Sequence, residues 1–338
     1  MSNSMGRVVM RWLRLAVAAA AFFCQLHTQG RCMSQEVHRI REGVFMSNTS
    51  LACTNDLLAI ANRQDQVTVR SLKDFKVVKT YDFKPDQRRV GFIDFDATNG
   101  NLVIASYQRF ARNGGETKLE WHHLTTGKIT TEKTIMGGVH AMSQNRVAVT
   151  RAYSIDDNAK INLMAVELDS GKVDTLLQNS DTYPYHVATS PDGNYVAGSW
   201  SNWEIALWER KTGWKRHQLK TGGVCQGMSF SSDSRTLFAV AGNNGYVWNA
   251  ATREKLSEQF TYGASFIMPN GRWCVAWNAN DLVLLNLYNE REPVRLRYSE
   301  EKWRCDIFRA TPDGRYLIGS SGSSTRIWKM PDLSSYEK

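Results

Sequence analysis

The chain has 338 residues, 42% of them hydrophobic, which is too long and too apolar for a disordered segment and suits one large domain or two small ones. Its formal charge of +9 points, taken alone, to an acidic partner such as nucleic acid. Outside the first 26 positions no apolar run is long enough to cross a bilayer, which excludes a multi-pass membrane protein, and six Cys without a CxxC pair signal neither a zinc site nor a disulfide scaffold.

Taken in chain order, the first element is a leader. Arg7, Arg11 and Arg14 precede an apolar run over 15–26. A basic stretch followed by a short apolar run is the pattern of a secretory signal peptide. Residues 1–34 are read as this leader, cut between Cys24 and Gln35 or kept as an anchor, and 35–338 as the folded body. The leader holds Arg7, Arg11, Arg14 and Arg31 and no acid, so its removal lowers the balance from +9 to about +5. The body has no Lys- or Arg-rich block and no helix-turn-helix or zinc spacing, so nucleic acid is not an expected partner.

The body repeats. Turn signals at Pro191-Asp192-Gly193, Ser232-Asp233-Ser234, Pro269-Asn270-Gly271 and Pro312-Asp313-Gly314, with weaker copies at Asn55-Asp56 and Asn99-Gly100, supply the positive φ that a tight hairpin needs. An apolar strand follows each turn, at 57–61, 102–106, 147–149, 195–198, 236–240, 273–277 and 316–319. A further short strand then carries Trp208, Trp248 or Trp328, with Val166, His122 and Leu285 or Asn286 near that place elsewhere. Turns such as Thr126-Gly127-Lys128, Ser170-Gly171-Lys172 and Thr212-Gly213 come next. Four-stranded units about 43 residues apart are the signature of propeller blades.

The pattern Ser-Pro-Asp-Gly, apolar strand, strand ending in Trp resembles the WD-repeat family of β-propellers over roughly 36–338, most closely over 185–330. The expected fold is all-β: a seven-bladed propeller of four-stranded antiparallel blades. The last copy has only three strands, so residues 35–41 are expected to supply its outer strand and close the ring. The resemblance implies the same closure. The family's Trp-Asp is replaced by Trp208-Glu209, Trp248-Asn249 and Trp328-Lys329, and its Gly-His pair is missing. The family's buried polar network is therefore not expected, and packing is left to hold the blades.

No catalytic signature emerges. There is no Gly-x-Ser-x-Gly elbow, His-Glu-x-x-His pair or Gly-rich phosphate loop. Asp94-x-Asp96-x-x-Asn99 lacks the spacing and terminal Glu of a calcium loop and reads as a hairpin turn. His122 and His123 are adjacent on a strand and point to opposite faces. Cys53, Cys225, Cys274 and Cys305 fall one to a blade and read as buried thiols. No metal, cofactor or catalytic residue is expected.

The resemblance implies that the loops between second and third strands share a face with those entering the inner strands. They collect Arg89; Tyr107, Arg109 and Arg112; Arg151 and Tyr153; Tyr185 and His186; Trp200 and Trp203; and Trp303 and Arg304. Aromatic and Arg enrichment marks interface hot spots. The expected function is a protein-binding scaffold outside the cytoplasm, secreted or periplasmic, a monomeric ring at most peripheral to a membrane. One alternative is a propeller enzyme of hydrolase, lactonase or dehydrogenase type, drawing on His140, His186, Arg151, Asp156 and Asp157 at the channel mouth. Another is a carbohydrate-binding propeller using the aromatic rim, with a glycan as partner.

Overall fold

A computed structural model describes residues 32–41, 51–62, 64–108, 115–144, 147–153, 160–260, 266–278, 281–288, 294–297, 305, 307–321 and 324–333. Five successive groups of four strands form separate antiparallel sheets whose strand order follows the chain. Blade 1, for example, runs Leu51–Cys53, Leu57–Ala61, Gln66–Ser71 and Val77–Asp82. Blade 2 runs from Arg88–Phe95 to Ile129–Met136, blade 3 from Gly138–Met142 to Val173–Ser180, blade 4 from His186–Thr189 to Lys215–Lys220, and blade 5 from Cys225–Phe230 to Lys255–Phe260. Blade 6 holds Phe266–Ile267, Trp273–Asn278, Asp281–Asn286 and Val294–Arg297. Blade 7 holds Ile307–Ala310, Tyr316–Ser320 and Thr325–Lys329. The molecule is a seven-bladed β-propeller of WD-repeat-like architecture.

The N-terminal strand Cys32–Ile40 joins the two ends. Its second half pairs antiparallel with blade 7, Glu36 opposite Trp328 and Ile40 opposite Thr325. Its first half reaches further than the sequence suggests. Cys32, Ser34 and Gln35 pair in parallel with Arg295, Leu296 and Arg297 of blade 6. One strand thus ties blades 6 and 7 into an eight-stranded sheet, and it begins at Cys32, inside the span read as leader.

Packing follows the strand period. Residues alternate between the two faces of each sheet, so each blade feeds two inter-blade spaces. Seven apolar clusters fill them, one per space. Val67 and Tyr81 of blade 1 meet Ile93 and Ile104 of blade 2. Around the ring, Leu58 and Ile60 of blade 1 meet Ile307, Ile318 and Ile327 of blade 7, with Ile40 of the closing strand among them. Trp208, Trp248 and Trp328 each face the preceding blade, against Val149, Leu207 and Val275 respectively. The Trp208 Nε1–H also donates to the Leu176 carbonyl there, at 3.1 Å.

Packing does not act alone, contrary to the expectation. The hairpins carry a repeated polar clasp. Ser190, Ser231 and Thr311 donate from their hydroxyls to Asp192, Asp233 and Asp313 at 2.6, 2.6 and 2.7 Å. The same hydroxyls accept the amides of Tyr195, Thr236 and Tyr316. Each turn needs a left-handed residue: Gly193 and Gly314 supply it at φ 71° and 72°, Ser234 at 63°. Ser234 replaces glycine and gains a contact, its hydroxyl accepting the Asp192 amide of the preceding blade at 3.0 Å. The acids at and beside the Trp-Asp place also work between blades: Glu209 takes Arg253 at 2.6 Å, and Glu167 takes Arg210 at 2.5 Å. These pairs are partly solvated, so each contributes modestly.

The calcium-like run is a hairpin, as read. Asp96 accepts the Thr98 amide and the Trp121 indole N–H, both at 2.9 Å. His122 is buried and His123 exposed. Cys53, Cys225, Cys274 and Cys305 form no disulfide.

Candidate interaction face

Two sets of connections meet on one face of the ring. The Phe83 amide donates to Asp65 O at 3.0 Å, Tyr185 to Ser199 at 2.8 Å, Thr221 to Trp203 at 3.2 Å, and Gly242 to Val224 at 3.1 Å. Each bond ties a loop at the entrance of a blade to a turn between second and third strands. Loops carried by a rigid ring are where binding residues are usually found.

The sector over blades 3 to 5 is the most distinctive. Arg151, near the end of the strand Val147–Tyr153, lays its guanidinium over the Tyr183 ring at 4.5 Å. Tyr183 meets Tyr185 edge to face, with ring centroids 6.1 Å apart. Tyr185 is 59% exposed and Trp203 57%. Val224, also exposed, extends the same face toward blade 5.

Trp203 stands out further. Its φ is +64°, in the left-handed region that bulky residues avoid. The Thr221 amide and hydroxyl both donate to its carbonyl, the hydroxyl at 2.9 Å, and hold the turn. Trp214 has a similar φ of +63° but is buried, and its indole N–H donates to Asp174 of blade 3 at 3.0 Å. The Trp214 conformation is offset by packing. Among the described residues the Trp203 indole makes no such return to the fold, and strain held at an exposed site points to function.

Other residues of the predicted face are dispersed. Arg89 is exposed on the inner strand of blade 2, paired with Tyr107. Tyr107 lies within a strand, its ring close against Gly91. Trp200 does not reach the surface: it is 9% exposed, packed on Trp208 at 6.0 Å with the Arg216 guanidinium 5.5 Å from its ring. Tyr153 ends its strand, and Arg109, Arg112, Trp303 and Arg304 lie outside the described residues. Tyr183, an aromatic of the same entry loop as Tyr185, joins the face, and so does Val224, which has no residue-type signal beyond its place in an entry loop.

His140 and His186 start neighbouring inner strands. Burial, with the Arg151 charge nearby, pushes His140 down to about 4. Burial also lowers His186, so both rings are neutral at pH 7. Among the described residues no three His, Cys, Asp or Glu side chains converge as a metal site, and Asp156 and Asp157 lie outside them. Burial raises the Cys53 and Cys274 thiols to about 12, which keeps them protonated and poor nucleophiles.

A second polar cluster escaped the sequence reading. Glu120, with its side chain 3% exposed, is enclosed between blades 1 and 2. Arg88 Nη1 reaches both its oxygens at 3.2 Å, Lys118 Nζ approaches at 3.0 Å, and His122 Nε2 at 3.7 Å. Arg88 also donates to Ser106, and lies over the Phe83 ring at 5.3 Å. Burial pushes the Glu120 carboxyl up, but His122, Arg88 and Lys118 outweigh it and hold the group at about 2. Its charges are met from within blade 2, Lys118 also taking Glu132 at 2.6 Å, so it ties the strands of that blade together, with His122 set against the Tyr81 and Phe83 rings, rather than offering a site.

No family model matches the chain, and no curated protein matches it. Solved structures do match in fold. One chain of a structure titled "Crystal Structure of Mitotic Checkpoint Complex" superposes with a TM-score of 0.66 at 16% identity, over 90% of this chain and 94% of that one. At that identity the likeness is one of fold.

Proposed function

We propose that this protein is a non-catalytic, protein-binding propeller that works outside the cytoplasm. The observation that carries the binding role is Trp203: a large indole, exposed, held in a left-handed turn beside Tyr185 and the Arg151–Tyr183 pair. Exposed Trp, Tyr and Arg grouped on rigid loops are the composition of interface hot spots. The propeller fold, shared with a chain of a protein complex, is consistent with that role. The leader pattern of Arg7, Arg11 and Arg14 ahead of an apolar run supports export.

Photo-crosslinking in cells tests both parts. A benzophenone amino acid is placed at Val224, on the aromatic face, or at Tyr288, in a turn of the opposite face. The expected result is discrete protein adducts from position 224, recovered outside the cytoplasm, and none from 288. Adducts from 288 alone contradict the face, and adducts confined to the cytoplasm contradict the location.

A further inference from the structure

The partner's chemistry is written in the charges of this sector, and the inference rests on the binding role just proposed. Two acids border the aromatic patch among the described residues, and each already has a cation. Asp181 is paired with Lys160, and Glu204 with Arg216. The cations are not all so committed. Arg151 and Lys220 have no carboxylate within ion-pair distance among the described residues. Among the described residues, the uncompensated charge around Tyr183, Tyr185 and Trp203 is therefore positive.

Arg151 is also prepared for a ligand. Its guanidinium lies over the Tyr183 ring at 4.5 Å, which restricts the side chain before anything binds. A guanidinium so placed keeps N–H donors for a carboxylate, and a bidentate pair of this kind adds direction as well as attraction. Part of the entropy cost of ordering a long side chain has already been met in the free protein. Beside it, Trp203 and Tyr185 offer apolar surface with little conformational freedom to lose.

We infer that the face binds an acidic linear segment of a partner protein, in which an Asp or Glu carboxylate meets Arg151 and a neighbouring apolar side chain rests on Trp203 and Tyr185. A sugar would use the aromatic surface but would leave the Arg151 fork without a charged mate. A basic segment would be repelled by it.

The test is selection of a random peptide library displayed on phage against the full chain, with counter-selection against Trp203→Gly. The selected peptides are expected to carry Asp or Glu next to an apolar residue and to bind more weakly as salt rises. Arg151→Gln should weaken them about tenfold, and Arg151→Lys, which keeps the charge but loses the fork, by less. Trp203-dependent peptides that are neutral or basic, or acidic ones indifferent to Arg151→Gln, overturn the acidic class while leaving the protein-binding role in place. If no selected peptide depends on Trp203, or if the chain binds a glycan array in a Trp203-dependent way instead, both the class and the role fall.

Discussion

A chain lacking residues 1–41 is expected to melt about 8 °C below the full protein, whereas one lacking only 1–31 melts with it. The difference is the closing strand Cys32–Ile40. Without it the blade 7 strand Thr325–Lys329 loses its outer partner, and blade 6 loses its parallel neighbour at Arg295, Leu296 and Arg297. Ile40, 5% exposed in the cluster that joins blade 7 to blade 1, leaves as well. Burial of such a side chain is worth about 2 kcal/mol, and the lost ladder bonds add roughly 0.5–1.5 kcal/mol each. A total near 5 kcal/mol corresponds to about 8 °C for a folded body of this size. Since a truncated ring exposes a strand edge and is prone to aggregate, two milder measurements accompany it. Ile40→Ala should cost about 2–4 kcal/mol, and a synthetic peptide of residues 32–41 should restore the melting point of the truncated chain. Equal melting of the two truncated chains contradicts closure by this strand.

Glu120→Gln should destabilise the ring by about 3 kcal/mol, because it leaves the Arg88 guanidinium, 11% exposed, against a neutral group, while Lys118 keeps Glu132 at 2.6 Å. The shape is kept, so the loss measures charge rather than volume. The pH dependence follows from the lowered carboxyl. Its folded value of about 2 lies below the ordinary value of 4.5, so the carboxylate contributes stability in full above pH 4.5 and loses it as pH falls toward 2. The native chain should therefore weaken over that window more steeply than Glu120→Gln. Denaturant unfolding at pH 7, 4.5 and 3 reads both effects. Parallel pH profiles for the two proteins would place the stabilising charge elsewhere.

Much of the fold was legible because it is encoded locally. Hairpin chemistry at Asp192-Gly193 and Asp313-Gly314 and the Trp spacing of Trp208, Trp248 and Trp328 each report a blade without reference to its neighbours. What depends on neighbours was not legible. Trp200 and Trp203 lie three residues apart in one turn, and only the packing of Trp208 and the bond from Thr221 decide that one is core and the other surface. Glu120 draws on Arg88, 32 residues away, and on Tyr81 and Phe83 of another blade through His122. The parallel start of the closing strand has no pattern of its own. The clasps Glu167–Arg210 and Glu209–Arg253 had a usable signal, since their separations of 43 and 44 residues equal the repeat. Of the candidate face, residue types marked Arg151, Tyr185 and Trp203, but the placing of Arg151 over Tyr183 needed the structure.

The most direct test of the interaction face is Trp203→Gly measured twice, once for stability and once for partner binding. Glycine adopts the +64° turn without strain, so the fold should be unchanged or stabilised by about 1 kcal/mol, after its own entropy cost is counted. Binding of the partner found by crosslinking at Val224 should fall at least about thirtyfold, the loss typical of a central Trp hot spot. A melting point several degrees lower with binding intact would show that Trp203 serves the fold and that the face lies elsewhere.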